Sequence, residues 1–409
     1  MSTPTAVVVT GLGALLGMGA GREALGVALA AGTVGSARID AKEGLHAADS
    51  ARTAVLIGPV DWSRWISPAE ARRMSPPARF AVVAARLAVE DAGFATSPEP
   101  DPTLSIALST AFGPSSYTQR VLDQILDDGP ATVSPALFTE CVANAPASRV
   151  GLTLRARGPQ HTIVAGEAGP LRALARGAAD VKAGRARAAF VGAAEEITPL
   201  VHAILDRFRA LSRPGADGVE QGRPFDRERN GFIAAEGAVV LVLESEADAR
   251  RRDATVLARV LGTTAAFDPS APASGWGTGV DTLALELRRG MDRHGLAPED
   301  IDLVVSGASG SRAGDRLEAR VLRRVWGERP LPPVVAPKAT VGEHGGGFLA
   351  AAILAANGQS FAPTPGFRFE DPELGIRPHD GSETGVVRKV LVTTVAAGGA
   401  ASWIFLERP

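Results

Sequence analysis

The run Val164-Ala165-Gly166-Glu167-Ala168-Gly169-Pro170-Leu171 joins a strand-like approach to a helical stretch that ends near Gly184. A glycine-flanked passage from strand to helix is the joint from which an α/β layered fold is built. The pattern continues outward in both directions, with short β-branched runs alternating with alanine-rich helical ones. Strands are expected over 7–10, 105–109, 188–192, 239–243, 256–262, 302–306, 333–336, 390–394 and 403–406. The clearest helix follows Ser75, which is placed to cap it; Pro76 suits its first turn, Phe80, Val83 and Leu87 form one stripe, and Gly93 ends it. A second helix carries Leu283, Leu287 and Met291 and stops at Gly295.

A chain of 409 residues with 45% hydrophobic and 22% charged residues can bury a large core, as one two-lobed domain or two intimate ones. A net charge of −2 gives no electrostatic case for nucleic acid. No apolar stretch reaches the roughly 18 residues of a membrane span. Met1-Ser2-Thr3-Pro4-Thr5 leads into the first strand without the basic start or apolar core of a signal peptide. Cys141 is the single cysteine, which excludes an internal disulfide and a cysteine-rich metal site. These features fit a cytoplasmic protein. No low-complexity linker divides the chain. The charged run at 248–253 after a strand marks a seam, giving halves at 1–250 and 251–409 that each read strand, long insert, glycine-turned helix and strand pair.

Several apparent chemical signals read better as structure. Gly11-Leu12-Gly13 lacks the third glycine spacing and ribose-binding acid of a dinucleotide site, and reads as a tight turn. Glu343-His344 before Gly345-Gly346-Gly347 has no second histidine a helical turn away, so no zinc helix is formed and no metal is expected. The glycines there suit a helix start packed against another backbone. His46, His161, His202, His294 and His379 are scattered without ligand spacing. Asp315 and Glu318 share a helix face, where they suit either a helix-start salt bridge or a buried cluster with a lysine.

Five segments taken in order resemble the β-ketoacyl synthase family of the thiolase-like fold. They are Val8-Val9-Thr10-Gly11-Leu12-Gly13; residues 133–138 running on to 144–148; Pro224-Phe225-Asp226-Arg227-Glu228-Arg229-Asn230-Gly231-Phe232 with 236–244; Gly314-Asp315-Arg316-Leu317-Glu318-Ala319; and Lys338 with Gly342. The resemblance implies a layered αβαβα fold of two similar halves. It also implies a cysteine nucleophile at a helix N-terminus, where a thiolate is stabilised, and two histidines that steady a developing oxyanion. This chain departs at each of these positions. Glu167 stands for the cysteine, Gly307 for the first histidine and Glu343 for the second, and the bulky gate of the C-terminal loop is Ala397. His344 falls one residue late, a rotation of about 100° at a helix start. Asp315, Glu318 and Lys338 keep the family's buried polar cluster.

The pattern resembles the chain length factor, the non-condensing β subunit of type II polyketide synthases. That subunit pairs with an active ketosynthase α subunit and works with an acyl carrier protein bearing acyl and malonyl phosphopantetheine. Glu167-Ala168-Gly169-Pro170-Leu171 keeps the Ala-Gly and Leu of that branch but not its glutamine, and residues 195–202 lack its tryptophan. Both departures favour a reducing, polyene-type system over an aromatic one. No cofactor is implied. A carboxylate at a helix N-terminus gains about 0.3–1 kcal/mol, so Glu167 is stable there without being a nucleophile. The resemblance places Phe112, Phe138 and Cys141 along the acyl tunnel and interface, where bulk would limit chain length. The alternatives are a self-standing acyltransferase or malonyl decarboxylase using Glu167, and a purely structural or regulatory binding protein.

Overall fold

Residues 5–382 and 385–409 are described by a computed structural model; residues 1–4, read above as leading into the first strand without a signal, lie outside them. Among the described residues the main sheet has eleven strands, ten of them on one continuous path and a two-residue strand, Gly19–Ala20, paired to the end of the first. In chain order the ten are β1 Val7–Leu16, β2 Leu104–Ser109, β3 Gln160–Ile163, β4 Ala188–Glu195, β5 Gly237–Ser245, β6 Ala258–Phe267, β7 Leu303–Ser306, β8 Val334–Val335, β9 Lys389–Val395 and β10 Ala400–Glu407. The helices that matter here are α1 Pro76–Asp91, α2 Ser115–Asp128, α3 Pro135–Cys141, α4 Ala145–Thr153, α5 Gly169–Lys182, α6 Pro199–Arg207, α7 Val280–Arg293, α8 Arg312–Trp326 and α9 Gly347–Ala356.

The spatial order is β8-β7-β9-β10-β6-β1-β5-β4-β2-β3. Read from the edges inward, one half runs 3-2-4-5-1 and the other 8-7-9-10-6, the same path with every number raised by five. Pairing senses repeat too: β2 is parallel to β3 and β4, β7 is parallel to β8 and β9, and the inner pairs of each half are antiparallel. The halves join where Val7, Val8 and Val9 meet Val260, Arg259 and Ala258.

Helices complete five layers. α1 and α4 pack on the outer face of the first half, and α7 and α8 on that of the second. α5 and α9 lie between the halves and touch strands of both. The sequence explains the placement of α9: Gly347–Ala356 has no polar side chain, and every residue is buried. A helix apolar on all sides needs cover on all sides.

Each expected strand falls on an observed one, and β3 is the strand-like approach to Glu167. Two local readings are corrected. Gly11 and Gly13 form no turn; they lie inside β1, where α1 rests directly on the strand. A Cβ on Gly13 would meet the Ala84 carbonyl oxygen at 1.9 Å, so glycine is needed for close approach. Ser75 precedes α1 but does not cap it. Its N–H and hydroxyl both donate to Glu140 Oε2, at 2.8 and 3.0 Å, while Arg149 Nε holds Glu140 Oε1 at 2.6 Å. A buried carboxylate outcompetes the helix end because its charge strengthens each bond. The charged run beyond β5 forms a short helix, Glu246–Arg251, capped by Ser245.

Candidate functional site

β3 ends one residue before Val164, and Gly166–Ala168 makes a tight 3-10 turn into α5, with Pro170 in the first helical turn. The turn sets Glu167 at the entrance of the helix, and its side chain lines a cavity of about 540 Å³. Phe112, Phe232, Trp276, His344 and Ala397 line the same cavity. Phe112 follows β2, where its backbone is held from below: Glu195, at the end of β4, accepts from Thr110 Oγ1 at 3.1 Å and from the N–H of Ala111 and Phe112. Ala397 stands in the turn between β9 and β10. The Gly398 N–H donates to the Gly275 carbonyl at 2.7 Å, which docks the loop carrying Trp276 onto that turn. Phe208, Arg209 and Arg312 are exposed and form the rim.

Close to Glu167, Lys338 Nζ lies 2.6 Å from Glu343 Oε1, with both side chains 3% exposed. The Phe348 ring covers the ammonium at 5.1 Å. His344 sits between two aromatic rings, edge-on to Phe112 at 4.9 Å and to Phe232 at 5.7 Å. The charges are unevenly distributed. Burial, reinforced by the negative charge of Glu343, pushes the Glu167 carboxyl up to about 7, against the pull of Lys338 and of the Glu167 and Ala397 N–H groups. Burial also opposes charge on Glu343, but Lys338 outweighs it, and Glu343 titrates below the ordinary carboxylate range. Burial brings His344 down to about 4, so it is neutral at physiological pH and Lys338 is the cation that balances Glu343.

The polar cluster continues into the second half. Asp315 accepts from the N–H groups of Phe225 and Ser309 at 2.9 and 3.1 Å. Glu318 accepts from Ser306 Oγ at 2.8 Å and the Gly307 N–H at 3.1 Å. Both acids therefore bind backbone and hydroxyl donors and form no helix-start salt bridge. Burial raises Asp315 to about 6 and Glu318 to about 8. Gly307 is packed tightly: an added Cβ would meet Thr394 Oγ1 at 2.7 Å and the Thr393 carbonyl oxygen at 2.9 Å.

Residues 5–249 match the β-ketoacyl synthase N-terminal domain and residues 257–367 its C-terminal domain. The chain belongs to the β-ketoacyl synthase family. It is 32% identical over 324 residues to 3-oxoacyl-[acyl-carrier-protein] synthase 2 of Mycobacterium bovis, covering 75% of this chain and 74% of that protein. It is 28% identical over 420 residues to a candidate β-ketoacyl synthase 1 for the granaticin polyketide from Streptomyces violaceoruber, covering 98% of both. The solved structure of the ishigamide ketosynthase/chain length factor superposes with a TM-score of 0.88 at 28% identity, covering 100% of each chain. The thiolase-like ketosynthase fold and a likeness to type II polyketide ketosynthase and chain length factor proteins are thereby shown.

In this member of the β-ketoacyl synthase family, the structure brings Glu167, Phe112 and Ala397 into one pocket, with the Glu343–Lys338 pair close to Glu167 and Gly307 bonded to Glu318. Phe138 and Cys141 are not part of that pocket. They lie on α3, where the Phe138 ring is exposed and Thr118 Oγ1 donates to the Cys141 carbonyl at 3.1 Å. Sequence reasoning set His344 aside on the rotation of a helix start, but no helix exists there. His344, Gly345 and Gly346 have φ of 77°, 66° and 81°, and α9 begins only at Gly347. The left-handed run turns the imidazole into the cavity, and the glycine triplet beside it was the available signal. Trp276 and Arg209 carried no such signal. Of the scattered histidines, His46 and His202 meet, Nε2 to Nδ1 at 3.4 Å. Among the described residues no cluster of three or more metal-ligating side chains occurs, and no helix is long and apolar enough to cross a membrane.

Proposed function

We propose that this chain is the non-condensing chain length factor subunit of a type II polyketide synthase. It pairs in the cytoplasm with an active ketosynthase that extends acyl chains with malonyl units on acyl carrier protein. One observation carries the reading. The positions where the family resemblance places cysteine, histidine and histidine hold Glu167, Gly307 and Glu343. At Gly307 the packing against Thr394 leaves no room for a side chain. Glu343 is likewise committed, to Lys338. A carboxylate is a poor condensing nucleophile, since the anhydride it would form is far more water-labile than a thioester. The partner supplies the cysteine and histidines, and this chain, with halves at 1–250 and 251–409, completes the interface and limits chain length. Phe112, at the pocket wall, is the residue proposed to set that limit, and Phe138 and Cys141 are proposed for the surface that meets the partner. The likeness to the ishigamide ketosynthase/chain length factor supports the pairing.

Co-expression with an active type II polyketide ketosynthase α subunit is expected to give a stable 1:1 complex that elongates on acyl carrier protein, whereas a homodimer that ignores that partner would overturn the reading. The competing reading, a decarboxylase using Glu167, requires the isolated chain to turn over malonyl carrier and Glu167→Ala to abolish that turnover.

A further inference from the structure

Phe112 lines the cavity and is 36% exposed, so side-chain packing covers only part of it. Its place is decided by its backbone, and the destination of each N–H shows how. Sheet pairing of β2 ends with Ser109 opposite Ala193, and the Thr110 N–H makes one last bond to the Ile163 carbonyl at 3.1 Å. Beyond that point no strand pairs with the segment among the described residues. The Ala111 and Phe112 N–H groups both donate to the Glu195 carboxyl. The Gly113 N–H donates to Thr110 Oγ1 at 2.9 Å, and that hydroxyl donates in turn to Glu195 at 3.1 Å. Every backbone donor from 111 to 113 thus ends on one carboxyl, directly or through one hydroxyl. The neighbouring acid holds the far side: Glu196 accepts from the Ser116 N–H at 2.8 Å and from Ser116 Oγ at 3.0 Å, at the start of α2, a helix with no buried residue. Glu195 itself is the last residue of β4, paired with Gly237 and 2% exposed, so the sheet fixes how far its carboxyl reaches.

We propose that Glu195 is the positioning residue of the chain-length wall: it carries the geometry of the main sheet to Phe112 and so sets the depth at which a growing chain is stopped. The proposal deepens the subunit reading and rests on it for the role of Phe112. Glu195 is not among the residues that line the cavity, so it acts through Phe112 and not on the substrate. What it supplies is an acceptor at a fixed distance from the sheet. A buried N–H is costly to leave without a partner, so a segment that loses this acceptor must move to find another. Gly113, at φ 66°, is the joint about which it can move, because glycine alone takes left-handed angles freely. His344 then follows as the second reporter, since its ring meets Phe112 edge-on at 4.9 Å.

The test places a fluorinated phenylalanine at position 112 of the full chain and reads its fluorine NMR resonance, with hydrogen exchange over residues 110–116. In the complex with an active ketosynthase, product length is read by mass spectrometry. Glu195→Met keeps the volume and removes the acceptor. It is expected to shift or split the resonance, to speed exchange of the segment about tenfold, and to give the longer or broader products of Phe112→Ala. Added to Phe112→Ala it should change the products no further, since both act on one wall. Glu195→Gln keeps a carbonyl oxygen for the two N–H groups and should restore the wild-type resonance, exchange and products. If Glu195→Met does not fold, Thr110→Val, which removes the linking hydroxyl, carries the same expectations. An unmoved resonance with unchanged exchange in the acceptor-less variant, or wild-type products from it where Phe112→Ala alters them, would overturn the proposal. The role of Phe112 fails separately, through unchanged products in Phe112→Ala, and the subunit reading through the absence of a 1:1 complex. The resonance and exchange are read on the isolated chain and decide the positioning in either case.

Discussion

Replacing Lys338 by methionine removes the cation that balances the buried Glu343 carboxylate. At 2.6 Å the Lys338–Glu343 attraction is about 6 kcal/mol at an effective dielectric of 20. Desolvating two charges that are each 3% exposed takes back several kcal/mol of that gain. The intact pair is therefore worth little, but removing one member strands the other, at a cost of about 3–5 kcal/mol. Spread over the unfolding entropy of 409 residues, that loss lowers Tm by roughly 3–6 °C. The pH dependence gives a second signature. In the wild type Glu343 titrates below its ordinary value, so its stability is present above that value and is lost only as the pH falls through the lower, folded one. Without Lys338, burial and the neighbouring Glu167 carboxyl raise Glu343, and the sign reverses: the folded state then favours the proton. The deficit of Lys338→Met relative to wild type should accordingly shrink as the pH falls from 8 toward 5. The double variant Lys338→Met/Glu343→Gln should recover most of the loss. Thermal melts and denaturant titrations across that range measure all three. A single-variant cost below about 1 kcal/mol, or a deficit that does not change with pH, would refute the reasoning.

Phe112→Ala removes a ring that stands edge-on to His344 at 4.9 Å and widens the cavity, so the reconstituted complex should release longer or more varied products by mass spectrometry; an unchanged product profile would remove Phe112 from the gate. Gly307→Ala should cost about 1–3 kcal/mol in chemical denaturation, because its Cβ would lie 2.7 Å from Thr394 Oγ1. For the same reason Glu167→Cys/Gly307→His/Glu343→His should not regain condensation by the isolated chain, and any radiolabelled elongation product would contradict that packing argument.

The fold was legible because its signals are local and periodic. The β-branched runs placed nine strands, each found within or overlapping an observed one, and the all-apolar stretch Gly347–Ala356 had only the centre of the molecule to occupy. The register failures were just as physical. Gly11 and Gly13 looked like a turn because sequence shows the missing side chain but not the helix backbone lying 2.5 and 1.9 Å from where their Cβ atoms would be. Ser75 looked like a cap because the competing acceptor, Glu140, lies 65 residues away along the chain.

For the site, the sequence by itself determined what is missing: no cysteine at 167, no imidazole at 307 or 343, and acids in two of those places. Only the tertiary structure decided what those acids do to one another. Lys338 claims Glu343, the pair leaves Glu167 to be pushed toward neutrality by burial, and three left-handed residues swing His344 into a pocket that a helix would have denied it. Side-chain identity is written along the chain, whereas charge state and direction depend on what the fold brings within a few ångströms.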